Sequence, residues 1–365
     1  MSEVSAELSA WLRLTLVPGV GPEKQRSLLA AFGLPEAVFA SGRRAVAGVV
    51  GDTLAARLFD TDNAAAVETG LAWCAEQGNA IVTLADSEYP AALLQTADPP
   101  LVLYVKGRVE LLSRPALAVV GSRNATAQGL ANAEAFSRAL SAAGLLIVSG
   151  LALGIDAAAH RGGLEGAGST LAFIGTGADR IYPARNAPLA RRIADTGAIV
   201  SEFPLGTPSI AHNFPKRNRL IAGLAQGVLV VEAAPASGSL ITARLAGELG
   251  REVLAIPGSI HSPLSKGCHQ LIKQGAKLVE SAQDVLEELR WQVGTLPAVA
   301  VAAQPAPATG VEASLLAALG FDPVDADTLC TRSKLTPDAL FAILLELELA
   351  GRVARLPGGR FQRLQ

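Results

Sequence analysis

The sequence has few of the features that mark disulfide-rich, zinc-binding, membrane-spanning or secreted proteins. Its three cysteines, Cys74, Cys268 and Cys330, are far apart and form no CxxC pair, so neither a disulfide framework nor a thiolate zinc site is expected. No apolar run reaches the roughly 18 residues of a membrane span. The first residues include acids where a signal peptide would have an apolar stretch. These absences predict a soluble, cytoplasmic protein without a membrane span.

Aromatic residues and net charge are also low. Of the 365 residues 4% are aromatic and 50% are apolar, and the formal net charge is −2. A near-neutral chain is not expected to coat nucleic acid over its whole surface. A local basic groove is still possible, because phosphate binding depends on where the cations cluster.

Signatures of catalysis are lacking as well. The sequence contains no GxGxxG, GxxxxGK[ST], HExxH or GxSxG motif in a suitable context. Asp156 and His160 have helical spacing, which favours a helix-capping acid and a surface histidine. Glu202 and Glu232 each end a predicted strand, where a role as loop anchors is favoured over acid–base chemistry. We therefore expect no catalytic residue, no metal site and no cofactor.

The pattern along the chain predicts four segments. Residues 1–60 look helical, and residues 61–291 alternate β-branched runs with helical stretches, which indicates a doubly wound, mostly parallel, Rossmann-like α/β sheet. Residues 292–310 are rich in Pro and Ala and are typical of a linker. Residues 311–365 have three helical stretches and a β-hairpin, the order of a winged helix.

The first segment contains a candidate phosphate site. The stretch "LVPGVGPEKQRSLLAAFG" has a Pro-Gly-x-Gly turn before an amphipathic helix. Such a turn directs backbone N–H groups outward at a helix N-terminus, and it resembles a helix-hairpin-helix DNA-binding element. Alternatively, this is a plain helical hairpin in which Gly19 and Gly21 only serve the turn.

Small residues follow the predicted strands at the edge where ligands bind in parallel sheets. Glycine and serine let backbone N–H groups approach a phosphate, and Arg123 offers a forked guanidinium. Each loop alone is a weak signal, but together they predict an extended polyanion along this edge. The loop residues are Gly121, Ser122, Arg123, Ser149, Gly150, Gly177, Tyr182, Ser237, Gly238 and Ser239.

Three cations surround Asn218 in the stretch "FPKRNRLIAGL". The apolar half predicts a sheet-covering helix, so Lys216, Arg217 and Arg219 lie near its start, where cations oppose the helix dipole. A bound phosphate would supply the missing negative charge, and we predict that all three cations contact phosphate. Alternatively, one of them pairs with a strand-end carboxylate such as Glu202.

Six ordered stretches resemble the DNA-processing protein A (DprA/Smf) family, and the resemblance covers about residues 115–290. They are "GSR" at 121–123, "SGLALGIDAAAH" at 149–160, "GTGADRIYPARN" at 175–186, "SEFPLGTPSIAHNFPKRNRLIAGL" at 201–224, "EAAPASGSLITARLA" at 232–246 and "IPGSIHSPLSKGCHQLIKQGA" at 256–276.

This resemblance implies sequence-independent binding of single-stranded DNA, protection of incoming strands during natural transformation, and loading of RecA recombinase by a homodimer. By motif, Arg123 and the cluster at 216–219 would hold phosphates, and Phe214 or Tyr182 would stack on bases. The alternative is a nucleotide-processing enzyme related to nucleoside-monophosphate phosphoribohydrolases. It is disfavoured because Leu240 and Ile241 stand where that chemistry would need an acid.

The last segment departs from a DNA-reading module. Its predicted third helix, "TPDALFAILLELELAG", contains no cation, whereas a helix that reads a major groove normally offers Arg, Lys, Asn or Gln. We expect a protein-interaction module or a weak DNA contact, and a regulator that binds duplex DNA through this segment is disfavoured. The segment holds seven acids, Glu312, Asp322, Asp325, Asp327, Asp338, Glu346 and Glu348, and six bases, Arg332, Lys334, Arg352, Arg355, Arg360 and Arg363.

Overall fold

The computed structural model of the protein describes residues 3–291 and 310–364. Nearly all of the predicted linker at 292–310 therefore lies outside the described residues. Within the two described ranges, no helix combines the length and the apolar character needed to cross a membrane.

The N-terminal region is helical, as predicted, and the helices share one apolar core. Trp11, Leu28 and Val46 are buried in this core together with Tyr104 of the neighbouring sheet. The buried side-chain amide of Gln25 donates to Leu14 O in the last turn of α1 and to Val20 O in the turn that follows, and it thereby fixes this hairpin. The helices are α1 Glu3–Thr15, α2 Pro22–Phe32, α3 Pro35–Ala40, α4 Gly42–Val50, α5 Asp52–Asp60 and α6 Ala64–Cys74.

The central sheet has the order β1-β2-β6-β5-β4-β3-β7-β8-β9. Neighbouring strands among β3 to β9 are parallel to one another, whereas the pairs β1–β2 and β2–β6 are antiparallel. The strands are β1 Asn79–Thr83, β2 Val102–Gly107, β3 Ala116–Val120, β4 Leu146–Ser149, β5 Thr170–Phe173, β6 Ala198–Ser201, β7 Gly227–Val230, β8 Glu252–Ala255 and β9 Lys277–Leu278.

Helices cover both faces of this sheet, which confirms the doubly wound α/β fold. Successive residues of β3 point to opposite faces: Ala118 packs in the core under α11 and α12, and Val119 packs in the core under α8 and α9. The direction of winding reverses between β3 and β7, the point where open sheets of this kind bind ligands. The helices are α7 Ala91–Leu94, α8 Ala127–Ala142, α9 Ile155–Gly163, α10 Ala187–Thr196, α11 Asn213–Leu224, α12 Gly238–Glu248, α13 Lys266–Lys273 and α14 Ala282–Glu288.

The C-terminal residues form the predicted winged helix. Its three helices pack on a small antiparallel sheet of order β10-β12-β11, and β10 is an addition to the two strands expected from sequence. The helix α17 exposes Phe341, Leu345 and Leu349 beside its acids. The elements are α15 Val311–Leu319, β10 Val324–Asp325, α16 Ala326–Ser333, α17 Pro337–Leu349, β11 Val353–Leu356 and β12 Arg360–Arg363.

Candidate nucleic-acid interface

An open cleft of about 720 Å³, here called the rim cleft, lies at the carboxyl edge of the sheet where the winding reverses. It brings together ten of the fifteen predicted site residues. These are Gly121, Ser122, Arg123, Tyr182, Phe214, Arg217, Asn218, Ser237, Gly238 and Ser239.

The loop after β3 is held in place by Glu232, which follows β7. The Glu232 carboxylate accepts hydrogen bonds from the backbone N–H and the hydroxyl of Thr126, and its backbone carbonyl accepts from Ser122 N at 2.7 Å. A Cβ atom on Gly121 would lie 2.8 Å from the same carbonyl, so only glycine fits this close approach. The prediction that Glu232 anchors a loop is confirmed.

Arg123 extends from this anchored loop over the ring of Phe214, which in turn contacts the ring of Tyr182. Its guanidinium carbon lies 5.8 Å from the centroid of the Phe214 ring, and that centroid lies 5.7 Å from the centroid of Tyr182. Tyr182 is 50% exposed. Among the described residues no acid forms an ion pair with Arg123. The positive charge and the aromatic faces are therefore both open to a ligand.

The opposite wall of the rim cleft is the N-terminus of α12. Ser237 caps this helix, and its hydroxyl accepts from Ser239 N at 3.1 Å. The position of a Cβ on Gly238 has no atom within 4 Å, which leaves this turn open to the cleft. Asn218 of α11 donates to the Gly238 carbonyl at 3.4 Å. The helix N-terminus thus presents backbone N–H groups and the positive end of its dipole to an anion.

Arg217 lies beneath the rim cleft and is only 4% exposed. Its Nη1 donates to the carbonyl oxygens of Gly150 and Phe173, which joins the ends of β4 and β5. Burial lowers the pKa of Arg217 to about 10, and the charge of Asp156 opposes this shift. This position favours support of the Gly150 loop over direct contact with a strand in solvent, and the predicted phosphate contact of Arg217 stays a prediction.

The histidine predicted to lie on the surface is fully buried, so that prediction was wrong. His160 Nε2 accepts from Leu151 N at 3.2 Å, and Nδ1 lies 2.7 Å from the Thr170 hydroxyl, which itself donates to Ile147 O. His160 is therefore a neutral ring with its proton on Nδ1. Burial lowers the pKa of His160 to about 3.

Asp156 does not cap the following helix as expected. The N-cap position is Gly154, and the Asp156 carboxylate instead accepts from Gly150 N and Ala152 N in the preceding loop. Burial raises the pKa of Asp156, an effect that the charge of Arg217 opposes. Asp156 and His160 together fix the loop after β4 from below.

Three predicted glycine and serine positions lie outside the lining of the rim cleft. Ser149 is fully buried and donates to Val119 O at 2.7 Å. Gly150 leaves the space that the Arg217 guanidinium fills, and Gly177 N donates to Thr207 O at 3.0 Å. In the described structure these three residues stabilise the conformations of the loops in which they lie. Asn124 lies in the lining but was not predicted, although it directly follows the "GSR" motif.

Lys216 and Arg219 line a second space, here called the hairpin cleft, between the α1–α2 turn and the sheet. The positions separate because a helix turns about 100° per residue, so 216 and 219 share one face and 217 and 218 lie away from it. Arg219 pairs with Glu202, and its Nε lies 3.3 Å from Asp98 Oδ2. The alternative in which one cation of the cluster pairs with Glu202 is therefore correct for Arg219.

The chain is similar to known proteins over most of its length. The family model described as "DNA recombination-mediator protein A" matches residues 80–290, and the "DprA winged helix domain" matches residues 299–359. Protein Smf of Escherichia coli is 45% identical over 299 residues, which are 80% of each chain. DNA processing protein DprA of Streptococcus pneumoniae is 48% identical over 209 residues, 57% of this chain and 74% of the relative.

Two solved structures extend the comparison. The X-ray structure of DprA from S. pneumoniae has a TM-score of 0.68 at 38% identity and covers 79% of this chain and 99% of that one. A structure of DNA processing protein A from Helicobacter pylori, described for its unique single-stranded DNA binding mode, has a TM-score of 0.53 at 31% identity and covers 57% of this chain and 95% of that one. The chain belongs to the DNA processing protein A (DprA/Smf) family.

Proposed function

We propose that this protein binds single-stranded DNA without sequence preference in the rim cleft, and that this role is not catalytic. The observation that carries the proposal is the exposed Arg123, which forms no ion pair within the described part of the chain, next to the Tyr182–Phe214 ring pair. The single-stranded DNA binding mode described for the H. pylori relative supports it.

In the proposed complex, the two walls of the rim cleft hold different parts of a strand. Arg123 and the N–H groups at the start of α12 hold phosphate oxygens, since both present positive charge to the same space. A base stacks on Tyr182 or Phe214, which tolerates any sequence because every base has a π-face. Duplex DNA is disfavoured because its bases are already stacked on each other.

The test measures binding of a fluorescent oligo-dT strand across a salt series. Arg123→Ala is expected to weaken binding about tenfold and to reduce the slope of log K against log salt by roughly 0.7, the loss of one phosphate contact. Arg43→Ala, which removes an exposed arginine of α4 that pairs with Asp60, is the matched control and should leave both quantities unchanged. Unchanged binding in Arg123→Ala, or release of free base from nucleotides by the wild-type protein, would contradict the proposal.

Strand protection in natural transformation, loading of RecA and assembly as a homodimer extend the proposal, and their support is the membership of the family. The expected results are a dimeric mass in solution and faster assembly of RecA on single strands that carry the protein. Arg123→Ala should lose the effect on RecA while it keeps the dimeric mass. A monomeric mass, or an unchanged rate of RecA assembly, would count against these additions.

A further inference from the structure

We infer that the hairpin cleft is a second nucleobase pocket, in which Glu202 accepts a hydrogen bond from the Watson–Crick edge of a base. This inference rests on the proposed function, because the base belongs to the strand that the rim cleft holds. It goes further by giving the N-terminal hairpin a direct part in binding.

The shape and walls of the hairpin cleft suit a base. Its volume is about 720 Å³, and its apolar lining includes Leu16 after α1, Pro22 at the start of α2, and Phe203 and Pro204, which follow β6. Such apolar walls are favourable for the faces of a flat ring. The cleft exists only because the N-terminal helices pack on the sheet, as Tyr104 of β2 in their shared core demonstrates.

The charges in the hairpin cleft favour a base over a phosphate. Asp98 forms ion pairs with both Arg26 and Arg219, and Arg219 also forms an ion pair with Glu202. Glu23 adds a further acid at the lining. These acids offset the arginines and would repel a phosphate inside the cleft.

Glu202 supplies an acceptor that has no partner. Its side chain is 10% exposed; Oε2 pairs with Arg219, and Oε1 is buried without a hydrogen bond in the described structure. A buried acceptor without a donor is costly. Burial also raises the pKa of Glu202 to about 7 although Arg219 opposes the shift. An N–H donor from a ligand would stabilise this carboxylate.

Bases can supply that donor whatever the sequence. Adenine and cytosine have an amino group on the Watson–Crick edge, guanine has N1–H and an amino group, and thymine has N3–H. A single acceptor that can accept a hydrogen bond from any of these donors is compatible with sequence-independent binding.

Helix α11 connects the two clefts. Phe214 lines the rim cleft and Lys216, two residues later, lines the hairpin cleft. Lys216 is exposed, and it forms no ion pair among the described residues. A strand that leaves Phe214 can therefore keep a phosphate at Lys216 while the adjoining base enters the hairpin cleft.

The test scans a single N3-methylthymidine along an oligo-dT strand of about 12 nucleotides, a length within the usual range of single-strand sites. The methyl group removes the only N–H of thymine. In the wild-type protein, methylation at one or two positions is expected to weaken binding about tenfold. In Glu202→Gln this sensitivity should disappear, because the glutamine oxygen then faces Arg219 and its amide nitrogen faces the cleft. Glu23→Gln, at the 82% exposed acid of the same cleft, is the matched control and should keep the sensitivity.

The outcomes separate this inference from the proposed function. If plain oligo-dT binds but no methylated position is weaker in the wild-type protein, or if Glu202→Gln keeps the sensitivity, the second pocket is wrong and the rim cleft still stands. If plain oligo-dT does not bind at all, both fail. Sensitivity that is present in the wild-type protein and in Glu23→Gln but absent in Glu202→Gln supports the pocket.

Discussion

At the residue scale, buried polar side chains support the loop after β4, which forms one side of the rim cleft. Arg217 joins the ends of β4 and β5, and Asp156 and His160 hold the loop between β4 and α9. The two acceptors of Arg217 lie 44 and 67 residues away in the sequence, and the partners of Asp156 and His160 lie in a loop and a strand whose positions only the folded chain fixes. Hence these contacts could not be predicted from local spacing, which indicated a capping acid and a surface histidine.

His160 predicts a loss of stability in mild acid. The pKa of about 3 in the folded protein is below the usual 6.5, so the folded state binds fewer protons than the unfolded state between these values. The stabilisation is therefore present above pH 6.5 and decreases as the pH falls towards 3. Between pH 7 and pH 5 the loss should be about 2 kcal/mol. His160→Gln should be less stable at pH 7 but should lack this part of the pH dependence, as measured by urea unfolding at both values. An equal loss in wild type and variant would contradict the neutral buried ring.

The buried opposite charges of Arg217 and Asp156 influence each other beneath the rim cleft, and they predict a non-additive pair of substitutions. Arg217→Met leaves Asp156 buried without its countercharge, and we expect about 3–5 kcal/mol of lost stability. Asp156→Asn in the same background should restore part of this loss, because the uncompensated charge is removed. Denaturant unfolding of the two single variants and the double variant measures the coupling. Additive losses would mean that the two side chains act independently.

At the element scale, the strands were predictable and the partners of the cations were not. Each β-branched run between residues 80 and 280 contains one of the strands β1 to β9, because strands buried on both faces read as continuous apolar runs. The directions in which the cationic side chains of the 216–219 cluster point depend on the residue at which α11 begins. A start at Asn213 turns Arg217 inward and directs Lys216 and Arg219 to the hairpin cleft.

Helix α11 therefore predicts different outcomes for neighbouring cations. Lys216→Ala removes an exposed cation that has no ion pair in residues 3–291 and 310–364, and it should weaken single-strand binding severalfold with little change in stability. Arg219→Ala removes the partner of Glu202 and Asp98, and it should lower the free energy of unfolding by about 1–3 kcal/mol. Thermal melts and binding titrations of the two variants test this division. If Arg219→Ala left stability unchanged, the ion-pair network would not be a structural element.

At the scale of the whole molecule, the sheet domain forms the rim cleft, and the helical N-terminal region and the sheet domain together form the hairpin cleft. The winged helix has an unusual surface. The helix α17 exposes acids and the apolar side chains of Phe341, Leu345 and Leu349. Such a surface is a poor match for a phosphate backbone.

Removal of the winged helix should consequently leave single-strand binding intact. A chain that ends at residue 291 keeps every residue that lines the rim cleft and the hairpin cleft. We expect its affinity for oligo-dT to lie within about twofold of the full chain, since no phosphate contact is removed. A loss of tenfold or more would show that residues 292–365 contribute to binding.

The most direct test of the central claim is a competition in which single-stranded and duplex DNA of the same sequence compete for the full chain at physiological salt. If the rim cleft binds single strands, unlabelled single strand should displace a labelled single strand at far lower concentration than the duplex does, and Arg123→Ala should weaken the single-strand interaction. Equal competition by the duplex, or an Arg123→Ala variant that binds single strands as wild type does, would contradict the rim cleft as a single-strand site.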